Sequence, residues 1–100
     1  MIYYTQLIFV KPGKEAEFNS FEEKVLPLLN DHQGELIYRI RPARESFIAN
    51  PQESPYEIHL VSFESRAGFD SYASDPRRQA FLDLKNNSVE KIILIEGKQL

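Results

Sequence analysis

Apolar positions along this chain follow two different periods. Residues 2–10 are rich in β-branched and aromatic side chains, which suit a pleated, half-buried surface and predict a first strand. Pro12-Gly13 then turns the chain. Beyond it Phe18, Phe21, Val25, Leu28 and Leu29 recur along one helical face and predict a helix over residues 14–31. Pro27 falls inside that pattern. It costs about 3 kcal/mol in a regular helix interior, so a kink or a tightened final turn is expected there. Gly34, just past the end, is the expected left-handed stop.

Residues 35–41 predict a second strand, with Leu36, Tyr38 and Ile40 alternating against Glu35, Arg39 and Arg41. Residues 42–55 hold three prolines and predict a long loop, of a length that is usually either functional or loose. Phe47 and Ile48 within it either lid a pocket or clasp a second subunit. Residues 56–63 predict a third strand. Ser65 is a good N-cap for a second helix that carries Phe69 and Tyr72 on one face. Ser74-Asp75 offers a second cap and Pro76 fits the first helical position, so the helix restarts, with Phe81 and Leu84 on its apolar side. Residues 90–96 predict a fourth strand.

The order is β-α-β twice over, the split arrangement called ferredoxin-like: a four-stranded antiparallel sheet with two helices on one face, one α+β domain across residues 1–100. In a monomer of that design the other sheet face should be polar. Here both faces are apolar. Ile2, Tyr4, Ile8 and Val10 share one side of the first strand and Tyr3, Leu7 and Phe9 the other; Ile58 and Leu60 oppose Val61 and Phe63; Ile92 and Leu94 oppose Ile93 and Ile95. Each such side chain gains roughly 1.5–3 kcal/mol on burial, so the pattern predicts a homodimer joined through the second face.

A net charge of −3 gives no basic excess, which argues against a nucleic-acid partner. With no cysteine there are no disulfides, thiolate chemistry or Cys-ligated metals. No apolar run approaches the ~20 residues of a membrane span, and the first residues lack signal-peptide features, so a cytoplasmic location is expected. Dinucleotide, P-loop and nucleophile-elbow motifs are missing, and His32 and His59 are not at ligand spacing, so no cofactor and no metal are expected.

His59 follows Glu57 by two residues on one strand face, and Arg39 and Arg41 alternate in the same way on the second strand. If those strands pair, an imidazole, a carboxylate and two guanidinium groups share one wall. His59 then reads as a general base, with Arg39, Arg41 and Glu57 as substrate-binding groups. The same charges also neutralise one another across neighbouring strands without any chemistry attached. His32 follows the first helix, where a cation is stabilised by about 0.3–1 kcal/mol. Arg77 and Arg78 sit in the first turn of the restarted helix, where the dipole disfavours them; an anion, a partner carboxylate or plain solvent would each account for that.

Val10-Lys11-Pro12-Gly13-Lys14-Glu15 followed by Phe18 resembles the strand-turn-helix opening of the dimeric α+β barrel superfamily. Phe63-Glu64-Ser65 with Phe69, Tyr72, Asp75-Pro76 and Gln79-Ala80-Phe81 is similar to its second-half signature. The likeness covers nearly the whole chain and extends to antibiotic-biosynthesis-monooxygenase-like domains and to the domains of unknown function known as DUF1330. It implies a small-molecule-binding homodimer, either a cofactor-free monooxygenase or isomerase acting on a small aromatic or organic acid, or a non-catalytic ligand-binding or stress-associated structural dimer. Relatives carry a polar pocket residue where this chain has Tyr72, which implies a catalytic hydrogen-bond donor there; a core aromatic paired with Phe69 is the plainer alternative. Haem-degrading relatives use an Asn, a His and a Trp; this chain has no Trp and no His at the matching position, so haem is not implied.

Overall fold

Four strands, β1 (Ile2–Val10), β2 (Gly34–Ile40), β3 (Glu57–Phe63) and β4 (Val89–Lys98), form one antiparallel sheet in the order β2-β3-β1-β4. They belong to a computed structural model that describes residues 1–49 and 53–100. Helices α1 (Glu15–Val25), α2 (Arg66–Ala73), α3 (Pro76–Gln79) and α4 (Leu82–Ser88) lie over one face of the sheet. The resulting two-layer slab measures 36 × 36 × 16 Å.

The first helix starts after the turn at Gly13, whose φ of 83° is a left-handed value that a Cβ would oppose. Glu15 and Glu17 in its first turn complement the helix dipole. At Pro27 the chain tightens into a 3₁₀ segment, Leu26–His32, because proline removes the amide that an α-helical turn needs. The left-handed stop is Gln33 (φ 55°), not Gly34. Gly34 is small for a different reason: a Cβ there would meet the Phe63 ring at 2.7 Å. Gly68 is likewise a contact glycine, since a Cβ would lie 2.6 Å from the His32 carbonyl oxygen where α2 rests on the 3₁₀ segment.

Ser65 caps α2 by accepting from the Gly68 amide, and Asp75 caps α3 by accepting from the Arg77 amide, with Pro76 at the first helical position. The core between the layers centres on Tyr4, Leu29, Val61 and Phe63. Phe69 stacks on Tyr4 with ring centroids 4.2 Å apart.

Register assigns the faces. Tyr4 pairs with Val61 and Ile8 with Ile92, so these side chains point at the helices, while Leu7 pairs with Ile58 and Ile93 on the outer face. β2 departs from simple alternation. Leu36 pairs with Val61 and Tyr38 with Leu60, which leaves Ile37 as an extra residue in a bulge. A bulge reverses the phase of everything after it. Leu36 therefore faces the core, whereas Tyr38 and Ile40, expected beside it, lie on the outer face, and Arg39 and Arg41 turn toward the helix layer. The outer face is apolar and open in the single chain: Tyr38 is 60% exposed, Ile95 52% and Ile40 48%. Among the described residues no helix is long and apolar enough to cross a membrane.

Candidate functional site

The bulge and the β2–β3 pairing bring Arg39, Arg41, Glu57 and His59 together. Glu57 is fully buried and has both carboxylate oxygens engaged. Arg39 Nε donates to Oε2 at 2.9 Å and an Arg41 terminal nitrogen donates to Oε1 at 2.6 Å. His59, also buried, hydrogen-bonds through Nε2 to Glu57 Oε2. Burial pushes the Glu57 carboxyl up, but the hydrogen bonds from His59, Arg39 and Arg41 outweigh it and bring its pKa to about 2. A carboxylate held so firmly in the charged form anchors its neighbours and is a poor proton acceptor. It also fixes the proton of His59 on Nε2.

Beside this cluster a cavity runs between the sheet and the helices. Its inner chamber, about 30 Å³, is bounded by Glu22 of α1, His59 and the core side chains Val61 and Phe63. Its outer chamber, about 360 Å³, opens between Lys85 of α4 and Ile92 and Leu94 of β4. Gln6, Phe69, Tyr72 and Arg78 line both. His59 and Tyr72 therefore border the cavity, whereas Arg39, Arg41 and Glu57 do not line either chamber. The Tyr72 hydroxyl donates to the Val25 carbonyl at 3.3 Å, and burial pushes its pKa up, with Arg78 opposing.

Four residues of the cavity wall were not reached as a group from the sequence: Gln6, Glu22, Arg78 and Lys85. Glu22 carried a readable signal. It falls four residues after Phe18 and three before Val25, on the face of α1 that packs inward, and it is only 7% exposed. Burial, then the charge of Glu57, push its pKa up, against His59, Arg39 and Arg78. The Arg78 guanidinium lies over the Tyr72 ring at 5.1 Å and the Phe21 ring at 5.6 Å. Among the described residues its Nε is the buried side-chain atom left without a hydrogen-bond partner. Burial, then Arg78, push the Lys85 amine down, and Glu22 opposes them.

His32 stands apart from this cavity. Its Nε2 pairs with Asp75 Oδ2 at 2.7 Å and its Nδ1 with Ser71 Oγ at 2.9 Å. The order Ser-His-Asp suggests a hydrolytic relay, but Asp75 is also gripped by the Arg77 side chain and amide. Hydrogen bonds from Arg77 and then His32 hold Asp75 well below the usual carboxylate range. The cluster ties the 3₁₀ segment to α2 and α3. Among the described residues no three His, Asp or Glu side chains converge as a metal-binding group.

Strand order, crossovers and layering define a ferredoxin-like α+β domain, and solved structures share it. A dabb family protein with a ferredoxin-like fold from Mesorhizobium loti is 20% identical, with a TM-score of 0.70 over 99% of this chain and 96% of its own. A dimeric protein of unknown function and ferredoxin-like fold from Bacteroides fragilis is 16% identical, with a TM-score of 0.72 over 98% of this chain and 95% of its own. A candidate antibiotic biosynthesis monooxygenase from Bacteroides thetaiotaomicron is 16% identical, with a TM-score of 0.72 over 100% of this chain and 89% of its own. At these identities the likeness is one of fold. No protein-family model and no curated protein sequence matches the chain.

Proposed function

We propose that this protein binds a small aromatic or organic acid in the cavity between sheet and helices. The carboxylate meets Arg78 and Lys85, the apolar body lies against Phe69, Ile92 and Leu94, and His59 and Tyr72 face the inner end. The observation that carries this reading is the Arg78 Nε–H, buried without an acceptor on the wall shared by both chambers. An unpaired buried donor costs free energy, and a carboxylate oxygen satisfies it through a charge-assisted bond. Size supports the same class. The outer chamber of about 360 Å³ suits a molecule of about one ring, and the inner one of about 30 Å³ admits little more than an oxygen atom.

In this reading Arg39, Arg41 and Glu57 act one step back. They hold His59 rather than touch the ligand. Turnover would be cofactor-free oxygenation or isomerisation; the Bacteroides thetaiotaomicron neighbour is named for a monooxygenase, which supports oxygenation alone. A non-catalytic ligand-binding dimer is the alternative, favoured by the Tyr72 hydroxyl being already engaged with Val25. The outer sheet face is assigned to a second copy of the chain, supported by its exposed Tyr38, Ile40, Ile93 and Ile95 and by the dimeric Bacteroides fragilis neighbour. A thermal-shift series tests the ligand class: salicylate and phenylacetate should stabilise the wild type, their uncharged amides should not, and Arg78→Gln should abolish the difference. Equal shifts from acid and amide would remove the reading.

A further inference from the structure

We infer that Glu22 is the proton-transfer residue of the cavity, and that its substrate is a carbonyl acid with an exchangeable C–H next to the carbonyl. The inference rests on the acid-binding reading of the same cavity.

Three observations lead to it. Glu22 occupies a position on α1 where an apolar residue would pack, flanked on the helix face by Phe18, Phe21 and Val25, all buried. As a residue it is only 7% exposed and it borders the inner chamber; among the described residues it makes no side-chain hydrogen bond or ion pair, and its carboxylate oxygens keep some accessible surface. A carboxyl placed on the apolar face of α1 without a protein partner contributes no ion pair or hydrogen bond to the fold, and the cavity is where its oxygens can meet a ligand. The third observation is exclusion. Among the carboxyls near the cavity, Glu57 is saturated by Arg39, Arg41 and His59, while His59, its Nε2 proton committed to Glu57, keeps Nδ1 as its one free nitrogen. Glu22 is the carboxyl left free to exchange a proton with a ligand.

The charged groups acting on Glu22 come from every element around it: Arg39 of β2, Glu57 and His59 of β3, Arg78 of α3 and Lys85 of α4. Burial makes it more basic than an exposed carboxylate, which strengthens it as a proton acceptor. In the step, ionised Glu22 takes the proton from the carbon beside the carbonyl. The C–H pair becomes a C=C bond, and the carbonyl π pair moves to oxygen as an enolate. That enolate, beside the carboxylate, is held by the Arg78 guanidinium. Return of the proton to the same carbon restores the substrate, and return to a conjugated carbon gives an isomer. Neither outcome needs an oxidant or a second reactant.

Phenylpyruvate in D₂O is the probe. Loss of its C3–H signal by ¹H NMR reports exchange, and a titration of the same sample reports binding. The wild type should accelerate exchange above buffer, and Glu22→Gln should lower the protein-catalysed rate at least ~100-fold while affinity stays within about threefold. The wild-type rate should also rise with pH through an ionisation above the ordinary Glu range of about 4.3, and Glu22→Gln should lack that rise. Exchange at the wild-type rate in Glu22→Gln overturns the inference. So does a wild type that binds phenylpyruvate without exchanging it, or activity lost in His59→Gln but kept in Glu22→Gln. If phenylpyruvate does not bind the wild type at all, the acid-binding reading falls and takes this inference with it.

Discussion

Arg39 donates its Nε to Glu57 Oε2 at 2.9 Å, although its backbone pairs across the ladder with His59. The contact is diagonal, and the bulge at Ile37 makes it possible by turning Arg39 toward the helix layer. Arg41 completes the clamp on the other carboxylate oxygen. Glu57 therefore neutralises two cations and orients one imidazole in a buried place. Removing one partner from such a group leaves the others uncompensated. Glu57→Gln should lower stability by about 3 kcal/mol in urea denaturation. A loss under about 0.5 kcal/mol would show that solvent already satisfies the arginines.

The same carboxylate sets an acid limit. Its folded pKa of about 2 lies below its ordinary 4.5, so its charged form stabilises the fold above pH 4.5, and that contribution disappears as pH falls toward about 2. Wild-type stability should drop by roughly 3 kcal/mol more than that of Glu57→Gln across this window. Parallel pH curves for the two proteins would assign the acid sensitivity elsewhere.

Much of this architecture is legible in the residues themselves. Strand and helix periods, the caps at Ser65 and Asp75 and the restart at Pro76 are local signals, and each is met in the fold. The phase of β2 is not local. Leu36, Tyr38 and Ile40 alternate cleanly on paper, and only pairing with β3 reveals that Ile37 is extra. The stop at Gln33 escapes for a related reason: Gly34 is demanded by the Phe63 ring across the core, a contact between distant residues. At the cavity, His59 and Tyr72 stand out as chemically capable side chains on defined elements. Arg78 is visible as a cation at an unfavourable helix position, with an anion as one of three accounts, but its place on the cavity wall, like that of Lys85, depends on how α3 and α4 fold back over β4. Glu22 lay within reach, as a charge on an apolar helical face.

The outer sheet face carries a separate expectation. Ile95 pairs with Thr5 on that face and is half exposed in the single chain. Wild-type protein should sediment at twice the chain mass at micromolar concentration. Ile95→Glu would place a charge in the apolar outer face, a cost of several kcal/mol on burial that should return the mass to one chain. A single-chain mass for the wild type would dispose of the dimer.

Whether the cavity takes an anion at Arg78 is tested most directly by following the Arg78 Nε–H resonance in an ¹H–¹⁵N NMR titration with salicylate. That resonance should shift saturably, accompanied by Gln6 and Ala73, and affinity should be at least ~10-fold weaker in Arg78→Gln, the equivalent of one charge-assisted hydrogen bond. A resonance that does not move while salicylate binds elsewhere, or an affinity unchanged in Arg78→Gln, would contradict anion binding at Arg78.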